Sequence, residues 1–180
     1  MHEILHPEKY VGTPVTSLPG LTKIIKGLRR GELTVLTGPT GSGKTTLLGQ
    51  MSLDLVEQDI NVLWGSFEIK NTRLMHKLLQ QYAREPLPSG DPSMATKLCA
   101  LADRFQNLPF LFMKFHGGSD VDDVLDAMDY AVYVHDVEHI ILDNMQFMVS
   151  LKSLGRKSTF DKFDVQDVAI EKFRTFATSK

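Results

Sequence analysis

Residues Gly38-Pro39-Thr40-Gly41-Ser42-Gly43-Lys44-Thr45 carry the spacing G-x-x-x-x-G-K-[ST], and no other stretch restricts the fold as much. Glycines at 38, 41 and 43 let the backbone curl until successive N–H groups point inward, which makes a nest for phosphate oxygens. Such a nest needs a strand to deliver the chain and a helix to carry it away. The flanks comply. Leu33-Thr34-Val35-Leu36-Thr37 is a short apolar run, expected to be the first strand, and Thr45-Thr46-Leu47-Leu48-Gly49-Gln50-Met51 reads as helix. That helix offers its free N–H groups and the positive end of its dipole to the same anion. In this setting Lys44 reaches the β and γ phosphates and the Thr45 hydroxyl holds Mg²⁺. Gly38, Pro39, Thr40, Gly41, Ser42, Gly43, Lys44, Thr45 and Thr46 are therefore the expected nucleotide-binding residues, for ATP or another nucleoside triphosphate.

Hydrophobic periodicity extends the pattern on both sides of the loop. Pro7 and Pro14 mark residues 1–17 as an extended lead-in, and after it, from Leu18-Pro19, a short helix follows with apolar residues at 21, 24, 25 and 28. The helix after the loop runs to about Glu57, with Leu47, Leu48, Met51 and Leu55 on one face. Further strands are expected at 61–67, 110–115 and 139–143, and helices at 72–83, 93–105, from Val121, and at 162–177. Residues 85–93 are turn chemistry, and Ser119-Asp120-Val121-Asp122 offers an N-cap. Strands alternating with helices predict a parallel sheet covered by helices on both faces, an α/β fold. Short, continuously apolar strands agree, since central parallel strands are buried on both sides.

A chain of 180 residues is long enough for one domain with its own core. The net charge of −2 carries no global nucleic-acid signature, so a DNA or RNA contact must be a local basic patch. The single cysteine, Cys99, rules out an internal disulfide, and its apolar helical surroundings mark it as a small buried hydrophobe. No apolar run approaches the roughly 18 residues of a membrane span. The start, Met1-His2-Glu3-Ile4-Leu5-His6-Pro7, has neither a secretory signal nor an organelle transit peptide, so the protein is cytosolic or lacks a targeting segment.

Hydrolysis asks for more than a phosphate nest: an acid that organises the metal and a group that orients the attacking water. Asp143 closes the apolar strand Ile140-Ile141-Leu142, and the carboxyl ends of parallel strands border the ligand crevice. It is the expected metal-organising acid; the plainer reading is a turn aspartate. Glu68 follows Ser66-Phe67 on the same rim, where a carboxylate can take a proton from water. From position alone, base and ordinary post-strand glutamate stay equally open. His116 reads as a turn residue, and His135 and His139 straddle a helix–strand junction that does not suit zinc. Lys152, Arg156 and Lys157, with Lys162, make the loop after Asp143 basic, which fits either a DNA backbone contact or a solvated surface.

Residues 31–46, Leu63-Trp64-Gly65-Ser66-Phe67-Glu68-Ile69 and Ile140-Ile141-Leu142-Asp143-Asn144-Met145-Gln146-Phe147-Met148, with Ala102-Asp103-Arg104-Phe105 and Ala131-Val132-Tyr133-Val134, resemble the Twinkle-like mitochondrial replicative DNA helicases. That family is similar to the phage primase-helicases and the bacterial DnaB-type ring helicases. The resemblance spans roughly residues 18–178 and implies a RecA-like P-loop NTPase core. It also implies a hexameric ring that binds single-stranded or forked DNA, unwinds with 5′-to-3′ polarity, and works in the mitochondrion. It makes Glu68 the catalytic base beside Lys44, Asp143 the Walker-B acid that shares Mg²⁺ with Thr45, and the 150–162 loop a DNA-facing one.

The family core continues with a sensor strand, further DNA-binding loops and an arginine finger, none of which can be placed in this sequence. Residues 18–180 are accordingly expected to be a partial RecA-type ATPase domain with its later strands missing, binding nucleotide weakly and separating no strands alone. Two other readings share the same residues: a RecA-type recombinase or clock-type ATPase, and a truncated, non-catalytic oligomerisation module.

Overall fold

A computed structural model of the chain describes residues 11–84, 95–114, 120–145 and 162–180. Within them the chain runs α1 (Pro19–Ile25), α2 (Lys44–Val56), β1 (Val62–Ser66), α3 (Asn71–Ala83), α4 (Ala95–Gln106), β2 (Phe110–Phe112), α5 (Val121–His135), β3 (His139–Asp143) and α6 (Lys162–Ser179). The three strands form one parallel sheet in the order β2-β1-β3. This is the expected α/β architecture, with strands and helices within two or three residues of their predicted limits apart from the differences that follow.

Two cores flank the sheet. Val62 and Trp64 of β1 join Leu53, Leu55 and Val56 of α2, Leu74 and Leu78 of α3, and Phe105 of α4. Leu63 points the other way, into Val124, Met128 and Ala131 of α5 and Ala169 and Phe173 of α6. A strand alternates its side chains, so a central strand must be apolar at every position, and β1 is buried from Val62 through Gly65. Trp64 is fully buried, and its indole N–H finds no hydrogen-bond partner among the described residues. Truncating it leaves a large void, so Trp64→Ala is expected to cost about 3–5 kcal/mol of stability in urea titration. A loss below about 1 kcal/mol would mean that the site collapses around the deletion.

The segment 33–37 departs from expectation. It joins no ladder among the described residues, and Leu33, Val35 and Leu36 are exposed. β3 pairs only with β1 among those residues, so the apolar run lies outside the three-stranded sheet. Strand propensity supplies a suitable backbone, but a strand exists only where a neighbour supplies the other half of the ladder.

Smaller corrections have local causes. The described end of the lead-in is pinned: Val15 is fully buried, Thr13 bridges Leu28, and Ser17 donates from both N–H and hydroxyl to buried Asp54 of α2 at 2.9 and 2.6 Å. α2 is consequently most buried over its last turns, 52–56, while Leu47, Leu48 and Met51 are half-buried. Asp120 caps α5, accepting from the Asp122 N–H at 3.3 Å. Cys99 is exposed, against expectation. The inward face of α4 runs through Leu98, Leu101, Ala102 and Phe105, and Cys99 sits one residue off that stripe. The turn at 85–93, His116 and Ser119 lie outside the described residues.

At the far end of the sheet from the strands' carboxyl ends, His139 opens β3 beside the Arg30–Glu138 ion pair (2.8 Å). Burial pushes the His139 pKa below its ordinary 6.5, with Glu138 pulling it up and Arg30 adding to the depression. The unfolded chain therefore takes up this proton first as pH falls. Stability held by the neutral imidazole is complete above 6.5 and is lost below it, at no more than about 1.4 kcal/mol per pH unit. Urea midpoints at about pH 7.5 and about pH 5.5 should converge in His139→Gln relative to the parent chain. An unchanged gap would remove His139 as the cause.

Candidate nucleotide site

The phosphate-loop sequence folds as a tight exposed turn. Gly41 and Gly43 have φ of 81° and 89°, a region that side-chain-bearing residues rarely enter. The Ser42 N–H donates to the Pro39 carbonyl at 3.2 Å and closes the turn. Gly43 is the N-cap of α2 and offers no side-chain cap, so the first N–H groups of that helix keep their hydrogen-bonding capacity. Lys44 Nζ folds back over the turn and donates to the Gly38 and Pro39 carbonyls at 2.8 and 2.9 Å. The ammonium thus lies over the same backbone that would cradle phosphates. Gln81 of α3 braces the start of α2, donating to the Thr46 carbonyl at 2.9 Å.

The strand ends bring the carboxylates to this loop. Asp143, the last residue of β3, is buried, and its Oδ2 accepts a 2.6 Å hydrogen bond from Thr45 Oγ1 across 98 positions of sequence. Ser66 pairs with Asp143 in the sheet, and the Phe67 N–H donates to the Asp143 carbonyl at 2.7 Å. That bond carries the β1 rim forward in register, so exposed Glu68 emerges beside Asn144, whose Nδ2 donates to Glu68 Oε2 at 3.1 Å. Thr45 and Asp143 therefore meet directly across the fold, Glu68 stands on the same strand-end rim through Asn144, and Lys44 lies over the turn. The sequence pattern alone does not single out Asn144; its one local signal is its place directly after Asp143 at a strand end.

Thr45 and Asp143 offer a hydroxyl and a carboxylate oxygen side by side, the hard oxygen donors that Mg²⁺ prefers. The donor chemistry fits that ion, and these two residues would hold it. Among the described residues no group of three or more His, Cys, Asp and Glu side chains comes together. The proposed DNA contacts Lys152, Arg156 and Lys157 lie outside the described residues.

A glycine-turned loop opening a helix, bonded through Thr45 to a buried aspartate at the carboxyl end of a parallel strand, is consistent with a RecA-like P-loop core. A family model described as an AAA domain matches residues 11–178, and the chain belongs to that family. Two solved structures share the fold. One, described as an ATPase domain, matches with a TM-score of 0.73 at 15% identity, over 93% of this chain and 60% of that one. The other, a DnaB-like replicative helicase described together with its interactions with primase, matches with a TM-score of 0.74 at 15% identity, over 93% of this chain and 42% of that one. The chain thus spans less than two thirds of either structure. Among the described residues no helix is long and apolar enough to cross a membrane.

Proposed function

We propose that this chain is the nucleotide-hydrolysing core of a replicative DNA helicase of the Twinkle-like, mitochondrial type. The observation that carries the hydrolytic part is the 2.6 Å bond between Thr45 and Asp143, with Glu68 on the same rim. The helicase part is supported by the fold shared with an ATPase domain and a DnaB-like replicative helicase, and by the sequence around Glu68 and Asp143.

The phosphates of ATP, or of another nucleoside triphosphate, would lie against the 38–46 turn and the start of α2, where oriented N–H groups and Lys44 offset their charge. Thr45 and Asp143 would hold Mg²⁺, which would supply charge neutralisation to the phosphates. Glu68 then takes a proton from water as the water oxygen bonds to the γ phosphorus and the bond to the leaving diphosphate breaks. The basic stretch with Lys152, Arg156 and Lys157 would contact single-stranded DNA, in a homo-oligomeric ring with sites near subunit boundaries.

The test is Mg²⁺-ATP hydrolysis with and without single-stranded DNA, combined with strand displacement by whatever fraction assembles into rings. Stimulation by single strands and displacement only from forks with a 5′ tail support the helicase. Joint-molecule formation without displacement would replace it with a recombinase.

A further inference from the structure

We propose that Asn144 is a positioning residue that aims the Glu68 carboxylate, an inference that rests on Glu68 acting as the base. The contact itself is the 3.1 Å bond from Asn144 Nδ2 to Glu68 Oε2. Its register is fixed by the sheet. Ser66 pairs with Asp143, and the Phe67 N–H to Asp143 carbonyl bond continues the ladder one step beyond the strands. Residues 68 and 144 therefore leave neighbouring strands at the same level. The dipeptide Asp143-Asn144 touches Thr45 of the phosphate loop with its first side chain and Glu68 with its second. Loop, metal-organising acid and base are thereby tied through one strand end.

The chemistry of the amide suits this task. A glutamate on an exposed rim has three side-chain torsions to settle before it can meet a water. A hydrogen bond to a carboxylate is stronger than one between neutral groups, and an asparagine makes it without bringing a cation that would cancel the charge. One Nδ2–H occupies a lone pair of Oε2 and leaves Oε1 to accept a proton. Asn144 itself exchanges no proton: the proton travels from water to Glu68 while the water oxygen bonds to the γ phosphorus and the diphosphate departs. A merely structural role would instead have the bond join two rim ends, with no bearing on the base.

The 180-residue chain is compared with Asn144→Ala, Glu68→Gln and the double variant in Mg²⁺-ATP turnover. Asn144→Ala is expected to lower kcat about 10- to 100-fold with KM changed by less than about twofold. In the Glu68→Gln background the same change should cost less than about twofold, because no base remains to be aimed. Equal losses in both backgrounds would overturn the proposal and leave a structural bond. An unchanged kcat in Asn144→Ala, with Glu68→Gln impaired, would overturn it while the reading of Glu68 stands. An unimpaired Glu68→Gln would remove the base itself. A second measurement needs no turnover: the Asn144 side-chain amide resonances of ¹⁵N-labelled chain should move on Glu68→Ala, and unmoved resonances would show that the contact does not form.

Discussion

Glu68→Gln is expected to lower the rate of nucleotide hydrolysis by about 10²- to 10⁴-fold while leaving nucleotide affinity within about twofold. The amide keeps the size of the side chain and can still accept the Asn144 hydrogen bond, but it cannot take a proton from water. In the proposed site binding falls to the 38–46 turn and Lys44, whose hydrogen bonds run to the Gly38 and Pro39 carbonyls and not to Glu68. Loss without weakened binding is thus the signature of a group that acts only in the transition state. Equal loss of binding and turnover would point to a disturbed rim, and retained turnover would show that another group orients the water. The measurement is steady-state phosphate release alongside titration with a fluorescent nucleotide.

Lys44→Ala should act earlier, on binding. Removing a charged donor from phosphate contacts forfeits about 1.5–3 kcal/mol, which corresponds to roughly a 10- to 150-fold weaker dissociation constant. The transition state, which gathers more charge on the γ oxygens, should lose about 10²- to 10³-fold in rate. Lys44 donates to the Gly38 and Pro39 carbonyls in exposed bonds, so the fold has little at stake. Circular dichroism and the urea midpoint should match the parent chain. A large drop in stability would instead assign Lys44 a scaffolding role.

Much of this was legible in the linear chain because its signals are local. β3 reads as a strand from Ile140-Ile141-Leu142, and Asp143 follows at its carboxyl end, where a parallel sheet opens its crevice. α5 announces itself through an acidic start and through Val124 and Met128 at helical spacing. Pairing is different. Residues 33–37 have the composition of a strand, yet whether a ladder forms depends on partners far along the chain, and here none of the described strands pairs with them. The anchoring of Ser17 to Asp54 across 37 positions was likewise invisible, since a buried aspartate in a helix is explained only by the residue that reaches it. Cys99 shows the limit of reading a helix without its phase, because a shift of one position moves a side chain by about 100° around the axis. Within the site, residue types and spacing named Lys44, Thr45 and Asp143, whereas position left Glu68 open and the family resemblance singled it out. Only the register of β1 against β3 revealed that Asn144 meets Glu68.

We propose one Mg²⁺-dependent hydrolytic site, formed by the phosphate loop and the two strand-end carboxylates. Its most direct test is γ-phosphate release and nucleotide binding measured on one preparation, with Mg²⁺ and with chelator, for the parent chain, Lys44→Ala and Glu68→Gln. The expected result is Mg²⁺-dependent release by the parent alone, with binding kept in Glu68→Gln and weakened in Lys44→Ala. Binding by Lys44→Ala as tight as that of the parent chain, or release that persists in Glu68→Gln, would contradict it.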